Sequence, residues 1–315
     1  MLSTSLEHEI KMINIKPNFN LNVIILKIFM IASKYIFDIS KLILISLLFS
    51  CEDNDYPTDF NSNKELKTET IFIQQNVIGV LEQRPVIIQT ELNINSNKLY
   101  PVVFGLHGNG GTNTGFLNRL KRFTDDGEFV GIYPQGIQRS WNLGSEASRA
   151  DDVEFINLIM EELKKYQNLD MNKVYVIGNS NGSGMANKLA VETNHFKAIA
   201  PIVSQLMESM PLKSTTQPVS VFQVNGALDP IIPIYGGTGP GTHIFLDALE
   251  SAKLWANKFN CFEPQIRMIG EDTLYEFKNC DDGKEVRYLR IENGEHNVLN
   301  SPFLINEIWN FFQRF

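Results

Sequence analysis

Two hydrophobic rhythms alternate along residues 68–315. Short continuous apolar runs at 102–106, 129–133 and 174–177 have the length of strands buried on both faces, and 219–224 and 286–291 read as later strands. Between them, residues 150–166 place Ile156, Ile159, Met160 and Leu163 on one helical face, and Met185, Ala186, Leu189 and Ala190 mark a second helix. Ser148-Arg149-Ala150-Asp151 offers a capping box for the first of these helices. Ser301 and Pro302 give an N-cap and a first-turn proline for a closing helix that buries Ile305, Ile308, Trp309 and Phe312. Ile71-Phe72-Ile73 and Val86-Ile87-Ile88 read as opening antiparallel strands. The alternation predicts an α/β fold, a mostly parallel sheet with helices on both faces. In such sheets ligand sites lie beyond the carboxyl ends of the strands.

The first 67 residues break this pattern. An apolar run at 42–49, preceded by Lys34 and Lys41 and closed by Ser50-Cys51, has the build of an export signal. It is too short to span a bilayer as a mature helix. We therefore expect a signal segment over 1–50, with Met30 as the possible true start. Residues 51–67, acidic at first and polar throughout, are expected to be a tether, and 68–315 a single domain. Leu48-Phe49-Ser50-Cys51 resembles a bacterial lipobox, which would make Cys51 a lipidated residue and the only membrane attachment. A plain signal peptide with an incidental cysteine is the alternative. Either way the expected location is outside the cytoplasm, secreted or on the surface of a bacterium.

Composition narrows the partners. Apolar residues make up 43% of the chain and aromatic residues 10%, enough for a large core without metal or disulfide support. The formal net charge of −8 argues against a nucleic-acid partner, which would require a basic face.

The chemistry gathers where the fold predicts it. Gly178-Asn179-Ser180-Asn181-Gly182 follows one buried run and opens a helix, the setting of a nucleophile elbow with Ser180 at its tip. His107-Gly108-Asn109-Gly110-Gly111 follows an earlier run. A tetrahedral intermediate needs two fixed N–H donors, and the backbone of Asn181 and of Asn109 would supply them. An acid and a base should follow the serine in that order. Asp229, just past the run ending at Val224, is the candidate acid. Of the five histidines, His8 lies in the signal region, His107 precedes the serine, and His195 can simply cap a helix. His243 sits in a glycine-rich stretch, whereas His296 lies in a loop before the last helix and is the candidate base. Ser180, Asp229 and His296 together need no metal or cofactor, and no His-Glu-x-x-His or paired Cys-x-x-Cys is present. Trp141 is a candidate pocket residue or, equally, a buried packing residue. Asp151 and Asp152 are expected to serve the helix start and the fold.

These segments resemble the poly(3-hydroxybutyrate) depolymerase, feruloyl esterase and acetylxylan esterase group of secreted α/β-hydrolases. The likeness is carried by residues 107–111, by Tyr133-Pro134-Gln135-Gly136 with Trp141-Asn142, by 151–155, by 174–185, by 226–237, and by Trp255 with Cys261 and Cys280. It implies an α/β-hydrolase fold, a serine esterase activity and a disulfide between Cys261 and Cys280. One departure stands out: the group commonly has Trp-Pro-Gly soon after its Gly-His, whereas here Gly294-Glu295-His296 runs into Asn297-Val298-Leu299. The leading expectation is hydrolysis of acylated polysaccharide or small esters of feruloyl or acetyl type. Polyester depolymerisation, acyl transfer and a non-catalytic glycan-binding surface lipoprotein are the alternatives.

Overall fold

The buried runs assemble into a ten-stranded sheet in a computed structural model that describes residues 64–315, the side chain of Pro302 apart. The signal, Met30, Cys51 and most of the tether lie outside the described residues. The hairpin β1 (Glu69–Val77) and β2 (Val80–Gln89) opens the domain. It is followed by β3 (Tyr100–Leu106), α1 (Leu117–Asp125), β4 (Val130–Pro134), α2 (Asp152–Leu163), β5 (Leu169–Asn179), α3 (Asn181–Glu192), β6 (Ala198–Ile202) and β7 (Ser220–Gly226). A separate two-stranded hairpin comes next, β8 (Tyr235–Thr238) and β9 (Ile244–Asp247). Then follow α4 (Ala248–Lys258), β10 (Gln265–Ile269), β11 (Asp272–Phe277), β12 (Val286–Ile291) and α5 (Pro302–Phe312).

Across the sheet the order is β1-β2-β4-β3-β5-β6-β7-β12-β11-β10. Pairs from β4 through β12 are parallel, and both flanks are antiparallel. The chain leaves β3 for β4 on one side and returns to β5 on the other. That reversal opens a crevice at the carboxyl ends of β3 and β5, where such sheets place their ligands.

Side chains alternate across each strand, and the core divides accordingly. Val102 and Phe104 of β3 and Val174 and Val176 of β5 share one face with Phe155 and Ile159 of α2, Met185 and Leu189 of α3 and Trp255 of α4. Val103, Tyr175 and Ile177 face the other way, onto Leu120 and Phe123 of α1 and Ile308, Trp309 and Phe312 of α5. The sheet is thus covered on both sides, as an α/β-hydrolase requires.

Three local readings are corrected. The capping box expected at residues 148–151 lies further along: Asp151 is the N-cap of α2, and its carboxylate accepts the Glu154 N–H at 2.9 Å. Arg149 at φ 50° turns the backbone out of the helical region just before it, so the helix cannot begin sooner. Ser301 holds the N-cap position of α5 without a side-chain cap bond. The tether does not extend to Lys67, because Lys64 already pairs with Tyr166 and Leu66 is buried in the core.

Candidate active site

Ser180 joins β5 to α3 at φ 54° and ψ −119°, a conformation strained for any residue with a side chain. The turn is possible because its flanks carry no Cβ. A Cβ on Gly178 would lie 2.2 Å from the Gly182 carbonyl oxygen, and one on Gly182 would lie 2.2 Å from that of Leu106. The serine hydroxyl is thereby lifted above the sheet at the crevice.

His296 Nε2 lies 2.8 Å from Ser180 Oγ, and His296 Nδ1 lies 2.7 Å from Asp229 Oδ2. Asp229's side chain is 1% exposed. Its other oxygen, Oδ1, accepts the N–H groups of Ile231 at 2.8 Å and Ile232 at 3.0 Å. These bonds fix the carboxylate, which in turn fixes the imidazole with Nδ1–H donated and Nε2 free to accept from the serine. The acid and base loops are stitched to each other: Ala227 N–H donates to Ile291 O and Leu228 N–H to Gly294 O, at 2.9 and 2.8 Å. Residues 116 positions apart in sequence, Ser180 and His296, meet because β12 inserts beside β7.

Asn109 and Asn181 both line a cleft of about 320 Å³ that opens over Ser180 and His296. The Asn181 N–H is at the first turn of α3, where no intrahelical acceptor exists. Its side chain is clamped. Oδ1 accepts the Trp141 N–H at 2.7 Å, and Nδ2 donates to Trp141 O at 3.0 Å. Trp141 is fully buried and does not line the cleft, so its assignment to the pocket wall does not hold. Its indole N–H donates to His107 O at 2.9 Å, and its backbone grips Asn181. The tryptophan braces both loops that carry the candidate oxyanion donors.

The remaining histidines have other employment. His107 is buried, and burial pushes its pKa below the ordinary imidazole value. Its Nδ1–H donates to Gly108 O at 2.8 Å while Nε2 accepts the Gly136 N–H at 3.0 Å, an arrangement for a neutral ring. His195 Nε2 donates to Asn157 Oδ1 of α2 at 2.7 Å rather than to a helix-end carbonyl. His243 lines the cleft, 2.9 Å from Glu146 Oε1. Arg84 and Asp152 form a buried ion pair at 2.6 Å, and Asp152 Oδ2 also accepts the Asn142 N–H at 2.6 Å. Cys261 and Cys280 are joined by a disulfide.

Sequence reasoning missed much of the cleft wall. Leu143, Glu146, Ile231, Ile232 and Phe245 line it, together with the glycine-rich segment around Pro240 and Gly241. Ile231 and Ile232 follow Asp229-Pro230, and that proximity was the available signal.

No family model matches the chain. Among curated proteins it is 27% identical over 230 residues to feruloyl esterase B of Piromyces equi, covering 68% of this chain and 42% of that protein. It is 21% identical over 252 residues to the probable feruloyl esterase C of Aspergillus flavus, covering 75% and 86%. The chain thus spans less than half of the first relative's length and most of the second's. Among solved structures, an acetyl xylan esterase from Aspergillus awamori superposes with a TM-score of 0.57 at 14% identity, covering 78% of this chain and 99% of that one. A thermostable esterase gives 0.53 at 16% identity, covering 78% and 62%. The solved structures share the α/β-hydrolase fold, and the curated relatives named feruloyl esterases share the sequence at 21–27% identity.

Proposed function

We propose that this chain is a serine carboxylic-ester hydrolase that acts through an acyl-enzyme on acylated polysaccharide or small esters of the feruloyl or acetyl type. The observation that carries the reading is the continuous hydrogen-bond line from Asp229 through His296 to Ser180, ending in an open cleft. His296 Nε2 accepts the proton of Ser180 Oγ as that oxygen attacks the ester carbonyl. Negative charge on the carbonyl oxygen is received by the N–H groups of Asn181 and Asn109. The intermediate collapses, the bond to the alcohol oxygen breaks, and His296 returns its proton to the leaving alcohol. Water then repeats the sequence on the acyl-enzyme, releasing the acid and restoring Ser180. Asp229 holds Nδ1–H and stabilises the imidazolium that forms twice per cycle.

The relatives' names support the feruloyl and acetyl classes. Export to the cell exterior is part of the same proposal, with Cys51 as the lipidated anchor. The Cys261–Cys280 disulfide supports it, since such bonds persist in oxidising compartments.

The test uses p-nitrophenyl acetate, methyl ferulate and acetylated xylan, with a fluorophosphonate that labels activated serines. The wild-type protein should hydrolyse at least one ester and take the label at Ser180. Ser180→Ala should lose the label and at least about a thousandfold in kcat. A wild-type protein inert to every ester and to the label would overturn the proposal.

A further inference from the structure

Two loops from distant parts of the chain line the same cleft and are bonded to each other. Residues 143–146 contribute Leu143 and Glu146, and the tip of the β8–β9 hairpin contributes Pro240, Gly241 and His243. His243 Nε2–H donates to Glu146 Oε1 at 2.9 Å, and Ser145 Oγ donates to Gly241 O at 3.1 Å. The acceptor is fixed in advance: Glu146 Oε2 takes the N–H groups of Leu143 at 2.6 Å and of Gly144 and Ser145 at 3.2 Å each. Ser145 Oγ also lies 3.3 Å from His243, but from the same Nε2 that faces Glu146. A relay needs both ring nitrogens, so this cluster is not a second nucleophilic triad.

The hairpin is anchored unevenly. Its β9 side is tied to the body by Glu208 N–H to Ile244 O and Leu246 N–H to Leu206 O, each at 2.9 Å. The tip, residues 239–243, bonds within itself through Gly239 N–H to His243 O at 2.9 Å. Among the described residues its hydrogen bonds to the body are those to Ser145 and Glu146. Such a glycine-rich segment has high backbone freedom when released.

We propose that Glu146 and His243 form a clasp that fixes the hairpin tip against the 143–146 loop, setting the cleft's width and so the size of ester that reaches Ser180. The inference rests on the esterase reading above. With the clasp closed, the tip forms a wall of the cleft; with it broken, the wall can recede and larger acyl groups gain relative to small ones.

The experiment compares kcat/KM for methyl ferulate with that for p-nitrophenyl acetate in His243→Gln, Glu146→Gln and the double variant, each checked for folding by thermal melting. Either single change should raise the ferulate-to-acetate ratio about tenfold, the scale on which a pocket discriminates small differences in size. The double variant should show the same ratio as the singles, because a clasp has nothing further to lose once one half is gone. An unmoved ratio, or single effects that multiply in the double variant, would overturn the clasp. Ser145→Ala removes the bond to Gly241 and the contact with His243 but keeps the Glu146–His243 pair, and it serves if the other variants do not fold: it should raise the ratio about threefold, and no change would again overturn the proposal. A wild-type protein without Ser180-dependent turnover would overturn the esterase reading and the clasp with it. Retained turnover with an unmoved ratio would overturn the clasp alone.

Discussion

The amide of Asn181 does work that its backbone N–H cannot do alone. The side chain locks the start of α3 to Trp141 through two hydrogen bonds, so the direction of the N–H is set by a tryptophan buried against His107. Asn181→Ala keeps the N–H and loses the clamp. We expect kcat to fall between about tenfold and a hundredfold, the range a small misplacement costs, with KM little changed. Steady-state kinetics on p-nitrophenyl acetate would check it. His107 supplies a pH dependence of stability. Its folded pKa lies below the ordinary 6.5 because burial penalises the charged ring. Above that value the ring is neutral in both folded and unfolded chains, and its contribution is fully present. As pH falls below about 6.5, the unfolded chain binds a proton that the folded one resists, so stability declines until the folded pKa is passed. His195 has the same sign. Thermal melts from pH 7.5 to 5 should therefore slope less in His107→Gln than in the wild type. At this scale the meeting of Ser180, Asp229 and His296 was legible because chain order and flanking motif single each of them out among its rivals. The role of Trp141 was not, since nothing in its sequence neighbourhood distinguishes a wall from a brace.

Elements differ in how plainly the sequence announces them. β3, β4 and residues 174–177 of β5 are legible as continuous apolar runs because both faces are covered, whereas Ser220 and Gln223 interrupt β7 and Arg287 and Arg290 interrupt β12. The β10–β11 hairpin is not legible. All of β10 is exposed or half-exposed, with Ile266 and Met268 more than half exposed, and β11 buries a glutamate, Glu276, where an apolar residue would mark the strand. β6 is short, small-residued and carries Pro201, which weakens its signal as a strand. The start of α2 was misplaced for a different reason: Asp151 competes with Ser148 as a cap, and only the backbone turn at Arg149 decides between them. The ion pair between Arg84 on β2 and Asp152 on α2 joins elements that no local pattern connects. Asp152→Ala leaves a guanidinium buried without its partner and should lower stability by about 3–5 kcal/mol. Because Asp152 also holds the Asn142 N–H next to Trp141, turnover should fall as well. Urea unfolding and kcat measured on the same preparation would show both.

For the whole molecule, what matters is the order of strands across the sheet. Ser180 follows β5 near its centre, while Asp229 follows β7 and His296 follows β12. The pieces lie 67 and 116 positions apart along the chain, and the long stretch between β7 and β12 contains a hairpin, a helix and two outer strands. Pairing over such distances closes large loops and is slow compared with local structure. A chain whose β12 has not yet docked on β7 holds a serine with no base beside it. It would be compact, largely helical and sheet-like, and inert. On the proposed function, ester turnover becomes a reporter of the final long-range pairing: during refolding from urea, activity should return later than the far-ultraviolet circular dichroism signal, and coincident return of the two would contradict this. On the proposed function, the bonds from Ala227 and Leu228 to Ile291 and Gly294 make the last long-range pairing a condition of turnover, so a half-assembled chain stays silent for want of them.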